Sequence, residues 1–183
     1  MPGKLGLLTS IANRLLEADA STATEASEQI LAQLVEHFDL QYSFLRYSDH
    51  GIRASVLAAE WPPRNAVADP DPFAIAAFTS DQPALALCNS GKELVIYRGP
   101  EIAGAGSSLT GRRRAGRPLV AAAPLLSGPL TAGVLGFVKF RGRKWKPEAL
   151  RTLEAVAPLL AQFQARVSAE QRLRHLADHD DLT

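Results

Sequence analysis

Residues 121–167 read AAAPLLSGPLTAGVLGFVKFRGRKWKPEALRTLEAVAPLLAQFQARV, and this stretch decides the fold. Its first half holds two apolar runs separated by Ser127-Gly128-Pro129, which is typical of two buried strands joined by a tight turn. Its second half begins at Pro147, a residue favoured in a first helical turn, and its apolar residues then recur every three or four positions. The pattern predicts a β-hairpin followed by one long helix that runs toward residue 177.

The hairpin region also has the length of a membrane span, because residues 118–138 contain no charged side chain. Pro118, Pro124 and Pro129 would each break or kink a helix there, so two buried strands explain the run better. The first residues lack the long apolar run of a signal peptide. We therefore expect a soluble protein with no membrane segment.

Two amphipathic helices are predicted before the first strand, over residues 4–20 and 22–38. Each carries apolar residues at spacings of three and four. Thr22 is available as the N-cap of the second helix, and Glu25 three residues later completes a capping box.

The remaining segments predict an antiparallel sheet. Strand-like stretches occupy residues 41–48, 52–61 and 93–97, and the first two are joined by a short hairpin turn. Residues 72–92 favour two short helical pieces, the first with Pro72 at its start. The segment 98–117 is rich in Gly and Ser and ends in a basic run, which favours a mobile loop. With the later hairpin, this order predicts an α+β fold of five to six strands with helices packed against the sheet.

Length, charge and cysteine content narrow the class of protein. A chain of 183 residues favours a single domain, and a formal net charge of +1 argues against a broad basic surface for nucleic acid. The single cysteine, Cys88, excludes a disulfide framework and a multi-cysteine metal site within one chain. These features fit a reducing cytoplasm.

The quoted stretch resembles the end of a GAF domain. That family closes with a strand ending in apolar-Pro-Leu, a small turn, a "GVL" strand, basic residues, and a helix of the form LxxLExxAxxLAxxxxxA. The resemblance divides the chain into an N-terminal helix (1–20), a GAF sensory domain (21–168) and a linker helix (169–183). It implies a GAF-like antiparallel sheet and a long C-terminal signalling helix.

The tail LRHLADHDDLT is similar to the opening of GGDEF domains, the diguanylate cyclases, which typically reads LAxHDxLTGLPNR. The matching residues are Leu176, Ala177, His179, Asp180, Leu182 and Thr183. The resemblance implies a cytoplasmic bacterial protein of cyclic-di-GMP signalling, in which the GAF domain regulates a C-terminal cyclase, and often an EAL phosphodiesterase domain follows. The catalytic acids of that cyclase are absent from these 183 residues, so they are not expected to be an enzyme by themselves.

Candidates for the ligand pocket follow from the GAF resemblance. The residues that fall where the pocket lies in relatives are Trp61, Phe73, Phe78, Cys88 and Tyr97. They either line a ligand cavity or fill it. Arg112 and Arg113 either grip a phosphate, for which guanidinium groups are suited, or are simply solvated.

No cofactor or metal ion is indicated. Cys88 is followed by Asn89, whereas bilin-binding members of the family usually place His there, and His37 and His50 are expected to be solvated rather than to bind haem. Catalytic methionine sulfoxide reductases of this family need several cysteines. The cyclic-nucleotide signature N-K-x-F-x-D-E is not found, and His175 with His179 lacks the acid of a zinc motif. An unidentified small-molecule ligand is left open.

The long helix carries a short heptad pattern that predicts a homodimer. Its members are Leu153, Val156, Leu160, Phe163 and Val167. These residues either form a seam between two chains or pack on the chain's own sheet, and Pro158 predicts a kink near residues 154–158. Diguanylate cyclases join two GTP held by two facing domains, so the family also implies a dimer. The alternatives are a ligand-free dimerisation scaffold and a GAF sensor of another output domain.

Overall fold

The computed structural model describes residues 4–65, 67, 69, 71, 74–79, 92–98, 117–142 and 144–180, and these form three helices and six strands. The helices are α1 (Lys4–Glu17), α2 (Ala23–Phe38) and α3 (Pro147–Asp180). The strands are β1 (Tyr42–Asp49), β2 (Ala54–Trp61), β3 (Ile75–Ala77), β4 (Val95–Arg98), β5 (Leu119–Ser127) and β6 (Leu130–Lys139). The predicted α+β class is confirmed.

The strands form one antiparallel sheet in the order β3-β2-β1-β6-β5-β4. The predicted hairpin of residues 118–142 is confirmed as β5 and β6, with Ser127 opposite Leu130. Gly128 lies between them at φ 62, a left-handed conformation that glycine adopts without steric cost. Among the described residues, no helix combines the length and apolar character needed to cross a membrane.

One face of the sheet packs against α2 and α3, which in turn pack against α1, and we call this the helix face. Alternate residues of the central strands point to it, which is the period-two pattern of a strand. The strand residues buried there include Leu45, Ala121, Ala123, Leu125, Leu135 and Phe137. Ile30 and Leu34 of α2 and Ile11 of α1 are fully buried in the same cluster. Each such side chain contributes about 1.5–3 kcal/mol through burial.

The heptad residues of α3 pack within their own chain. Leu153, Val156, Leu160, Phe163 and Val167 are all buried, with at most 4% of each residue exposed. Their heptad spacing is therefore satisfied by the sheet and α1, and a seam between two copies has to use other residues. Residues 171–178 are all exposed. Pro158 lies inside the helix, which continues on both sides of it, and the kink stays a prediction.

Two local expectations were wrong. The segment predicted as two helical pieces instead forms strand β3 in its described part, because residues 75–77 pair with the edge of β2 and tertiary pairing overrides local propensity. The capping box at Thr22 is not formed, since that side chain makes no cap hydrogen bond to α2. The carboxylate of Asp19 instead accepts hydrogen bonds from the backbone N–H groups of Ser21 (2.7 Å) and Thr22 (3.1 Å).

Several element ends also differ from the sequence-based bounds. Helix α1 ends at Glu17 rather than residue 20, and β4 begins at Val95 rather than residue 93. Helix α3 extends to Asp180, three residues beyond the predicted end. Such shifts are ordinary at fraying element ends.

Candidate ligand-binding face

The opposite face of the sheet carries a second buried cluster, which we call the aromatic face. Its buried members are Tyr42, Phe44, Phe78, Val120, Ala122, Val134 and Val138. Half-buried Leu57, Val95, Tyr97 and Phe140 pack against them. The strand residues of this cluster alternate with those of the helix face, so each central strand serves two different environments.

The ring of Phe44 lies over Gly136 of the neighbouring strand. A Cβ atom added at position 136 would lie 2.1 Å from Phe44 Cζ, far inside van der Waals contact. The ring of Tyr42 lies next to it, with centroids 6.3 Å apart. Glycine at position 136 therefore makes room for an aromatic ring on the surface of the sheet.

A network of acids and bases closes one end of the aromatic face. The Tyr42 hydroxyl donates to Glu60 Oε2 at 2.5 Å, and Arg64 Nε donates to the same oxygen at 2.8 Å. Arg64 also forms a two-pronged bond with Asp71, with Nη1 to Oδ1 at 3.0 Å and Nη2 to Oδ2 at 2.8 Å. Such paired geometry is among the stronger protein hydrogen bonds, and it ties the chain after β2 to this face.

The network shifts the pKa values of two of its members. Hydrogen bonding to Asp71, followed by the contacts with Glu60, raises the pKa of Arg64 above its already high ordinary value. Burial, with the Glu60 hydrogen bond second, raises the pKa of the Tyr42 hydroxyl well above 10. Tyr42 is therefore a neutral hydrogen-bond donor and Arg64 a permanent cation at physiological pH.

Arg46 is a buried cation on β1, with only 1% of the residue exposed. Its Nε donates to the Ser55 hydroxyl at 2.8 Å, and its Nη2 donates to the Ser55 carbonyl at 2.9 Å. A longer bond of 3.4 Å reaches the carbonyl of Ala74, just before β3. These bonds join three segments of the sheet edge through one guanidinium group, which offsets part of the cost of burying its charge.

The structure brings two of the predicted pocket residues together. Phe78 is buried in the aromatic face, and half-buried Tyr97 packs against the same cluster. Trp61 is 37% exposed at the end of β2. The other candidates, Phe73, Cys88, Arg112 and Arg113, lie outside the described residues.

His50 has partners that its turn position did not predict. Its Nε2 donates to the carbonyl of Thr131 at 3.0 Å, and its ring meets Phe78 edge-on with centroids 5.6 Å apart. The residue is exposed, as expected for a turn, and its side chain also links the two hairpin ends of the sheet to the aromatic face.

Sequence reasoning missed Tyr42, Phe44, Arg46, Glu60 and Arg64. One signal was present, because Tyr42, Phe44 and Arg46 are spaced two apart and therefore share one strand face. An arginine in line with two aromatic residues indicates a buried polar contact. The pairing of Glu60 with Arg64 depends on the path of the chain after β2, for which the sequence carries no comparable signal.

Solved structures establish the class of fold, which is the GAF fold. The GAF domain of an Acinetobacter phosphoenolpyruvate-protein phosphotransferase superposes with a TM-score of 0.71 at 12% identity, covering 94% of this chain and 99% of that one. The free methionine-R-sulfoxide reductase of Neisseria meningitidis, solved with its substrate, gives 0.64 at 14% identity over 91% of each chain. The second GAF domain of DevS from Mycobacterium smegmatis gives 0.58 at 15% identity, covering 85% of this chain and 99% of that one.

Relatives in sequence are found in mycobacteria. The chain is 48% identical over 179 residues to the uncharacterized protein Rv1354c of Mycobacterium tuberculosis and equally to Mb1389c of Mycobacterium bovis. The match covers 97% of this chain and 29% of each relative. This chain thus spans less than a third of the length of those relatives. A scan against protein-family models found no match.

Proposed function

We propose that this chain is the sensory domain of a longer cytoplasmic signalling protein, and that α3 carries its signal to a diguanylate cyclase of the GGDEF class. The observation that carries this proposal is the course of α3. The helix is packed in the domain as far as Val167, and its residues 171–178 are then exposed as it approaches the GGDEF-like tail. The relatives support it, because more than two thirds of their length lies outside the match.

Assay of the parent protein with GTP tests the output, and α3 supplies a matched pair of variants. Two residues inserted after Glu170 rotate the exit segment by about 200° relative to the domain. Seven inserted residues make nearly two full turns, so the exit segment keeps nearly its original orientation. We expect the parent protein to form cyclic di-GMP. The two-residue insertion should change the rate of this reaction at least fivefold, and the seven-residue insertion should leave it near the native rate. An absence of cyclic di-GMP, or equal effects of both insertions, would reject the proposal.

The aromatic face is the proposed ligand site. Its aromatic floor with a few fixed polar groups is the composition typical of small-molecule pockets. A thermal-shift panel of nucleotides, cyclic nucleotides and haem tests it, since a ligand at 100 times its Kd stabilises the native state by about 2.7 kcal/mol. Tyr97→Ala should abolish the ligand-induced rise in melting temperature. Ile96→Ala, at the exposed neighbouring residue, should leave that rise unchanged.

The second candidate function is a ligand-free dimerisation scaffold, in which the aromatic side chains fill the pocket. Their deep burial favours it, since Tyr42 is fully buried and Phe44 is 4% exposed. In that case no compound of the panel raises the melting temperature of the wild-type protein, and the dimer alone carries the function.

A parallel homodimer is proposed through the exposed part of α3. Leu173 and Leu176 are 67% and 64% exposed and lie three apart, so they share one helix face. An apolar groove of about 390 Å³ lies between α1 and α3, with exposed Leu16 at its rim. It adds apolar surface on the same helix α3. In sedimentation at tens of micromolar, the wild type should be dimeric and Leu173→Asp with Leu176→Asp monomeric. Arg174→Asp, on the same turn, is the control, and a monomeric wild type would contradict the dimer.

A further inference from the structure

Two side chains of α3 hold the corner between α1 and α2. Arg166 Nη2 donates to the carbonyls of Leu15 at 2.5 Å and Ala18 at 2.6 Å. The backbone N–H of Ala20 donates to Glu170 Oε2 at 3.1 Å. We call Arg166, Glu170 and these three backbone groups the corner clamp, and its two halves lie about 150 residues apart in sequence.

The clamp supplies what the end of α1 needs. The last carbonyls of a helix have no partners within the helix and carry its negative dipole end, so a guanidinium group there is favourable. The charge of Arg166 is itself supported by the Phe163 ring, 5.4 Å from its Cζ, and by Glu170, whose Oε1 lies 3.8 Å from Nε. Arg166 of α3 thus caps the C-terminal end of α1, which lies near the other end of the chain.

Hydrogen bonds within the corner also fix its backbone. The Asp19 carboxylate accepts hydrogen bonds from the Ser21 hydroxyl at 2.6 Å and from two backbone N–H groups of the corner. Helix α2, which starts at this corner, packs on β1 and β2. Those two strands carry Tyr42, Arg46 and Glu60, so packed elements run without a break from the aromatic face through α2 to the clamp.

The clamp lies where α3 leaves the domain. Val167, the last buried residue before the exposed run 171–178, sits between Arg166 and Glu170. We propose that the clamp is a strap that couples the α1–α2 corner to the exit segment of α3, so that a movement of the corner changes the order of residues 168–178. Only the use of this strap in signalling rests on the proposed function.

Hydrogen exchange of the 183-residue chain tests the strap, because it reports opening segment by segment. Arg166→Gln and Glu170→Ala each remove one of the two clamp side chains, and Arg172→Gln on the exposed part of α3 is the control. We expect about tenfold faster exchange in both the corner and residues 168–178, with β1 and β6 unchanged. Because both side chains act on one corner, the double variant should accelerate exchange by less than the product of the two single accelerations.

A variant that leaves both clamp side chains in place separates coupling from simple capping. Asp19→Asn alters the corner at the residue between Ala18 and Ala20, and it should accelerate exchange in residues 168–178 about threefold. Unchanged exchange there in Asp19→Asn or Arg166→Gln would reduce the clamp to a cap of α1 and overturn the proposal. Faster exchange throughout the sheet would also overturn it, as general destabilisation. Neither result depends on cyclase activity, so the two proposals fail separately.

Discussion

The two faces of the sheet are built from the same strands but by different means. The helix face is covered by the helix layer, and its buried strand residues are mostly apolar, with Ser43 buried among them. The aromatic face buries a full guanidinium group at Arg46 and a tyrosine hydroxyl at Tyr42, each with fixed hydrogen-bond partners. Hydrophobic burial therefore dominates the helix face, whereas the aromatic face depends more heavily on satisfying costly buried polar groups.

On the proposal that the aromatic face binds a ligand, stability and function are carried mainly by opposite faces of the sheet. A hydrocarbon core tolerates no ligand because its interior is close-packed. A face that combines aromatic surface with a few oriented polar groups has the composition typical of small-molecule sites. Substitutions at matched positions on the two faces measure how far this separation holds.

The largest expected effect comes from neighbouring residues of β6 that point to opposite faces. Leu135 and Val134 are both fully buried. Leu135→Ala should lower the free energy of unfolding by about 2–5 kcal/mol, because it leaves a cavity in the helix-face core. Val134→Ala should cost only about 1–2 kcal/mol, near the transfer value of the lost methyl groups, if the aromatic face keeps room for a ligand. Urea denaturation measures both values.

Equal losses for these two variants would break the comparison. They would mean that the aromatic face is packed as tightly as the helix face, which is the condition of the ligand-free scaffold. The denaturant m-values serve as the internal control, because a changed slope would show that a variant alters the denatured or native compactness instead.

Gly136→Ala tests the ring packing on the aromatic face and should cost about 1–3 kcal/mol through overpacking against Phe44. Phe44→Leu in the same chain should relieve part of that cost, because it replaces the ring that the new Cβ meets. Thermal denaturation of the two single variants and the double variant measures the coupling. Additive losses would show that the new methyl group clashes with something other than this ring.

The last two strands and the long helix were predictable because their signals are local. Nearly continuous apolar runs over residues 119–127 and 130–139, with a turn at Gly128, indicate a hairpin of two buried strands by themselves. The heptad spacing of α3 predicted a seam, but a spacing of seven does not say whether the partner is the chain's own core or a second copy. In the structure these residues are buried against the sheet and α1.

The candidate site was less predictable because it depends on register. Phe44 lies opposite Glu60, and a bulge follows between Leu45 and Arg46. That pairing brings Glu60 within reach of the Tyr42 hydroxyl two residues earlier on the same face. Neither the bulge nor the register is written in the composition of either strand, so the acid–base network could not be assembled from the sequence.

Alkaline unfolding compares the two faces through two buried tyrosines. Burial raises the pKa of Tyr42 on the aromatic face and of Tyr47 beside the helix-face core above the ordinary value of 10. Above pH 10 the unfolded chain loses these protons first, so the free energy of unfolding should fall as pH rises, by at most about 1.4 kcal/mol per pH unit for each tyrosine. Tyr42→Phe and Tyr47→Phe should each remove the contribution of one tyrosine to the fall of the unfolding free energy with pH.

Chemical denaturation at pH 9 to 11.5 measures how the free energy of unfolding falls with pH. The variant with both substitutions is the reference, because its free energy of unfolding should not change over this range. A slope that survives in the double variant would assign the alkaline sensitivity to other groups. A slope lost with Tyr47→Phe alone would mean that the Tyr42 network opens and admits solvent before the chain unfolds.

The smallest expected effect is acid sensitivity at the corner of the helix layer. Hydrogen bonds from the Ser21 hydroxyl and from the backbone of Ser21 and Thr22 lower the pKa of Asp19 to about 2 from an ordinary 3.8. The folded chain therefore favours the charged carboxylate, and its contribution to stability is present above pH 3.8 and is lost as pH falls toward 2. Asp19→Asn should lower the melting temperature slightly at neutral pH and flatten the decline between pH 4 and 2.

Asp39→Asn is the matched control, because asparagine tolerates the left-handed backbone at that position, where φ is 51°. Melting temperatures from pH 2 to 7 should show the flattened limb in Asp19→Asn only. An unchanged acid limb in Asp19→Asn would mean that the α1–α2 corner is open before the chain unfolds, and the helix layer would then be less firmly closed than its hydrocarbon core implies.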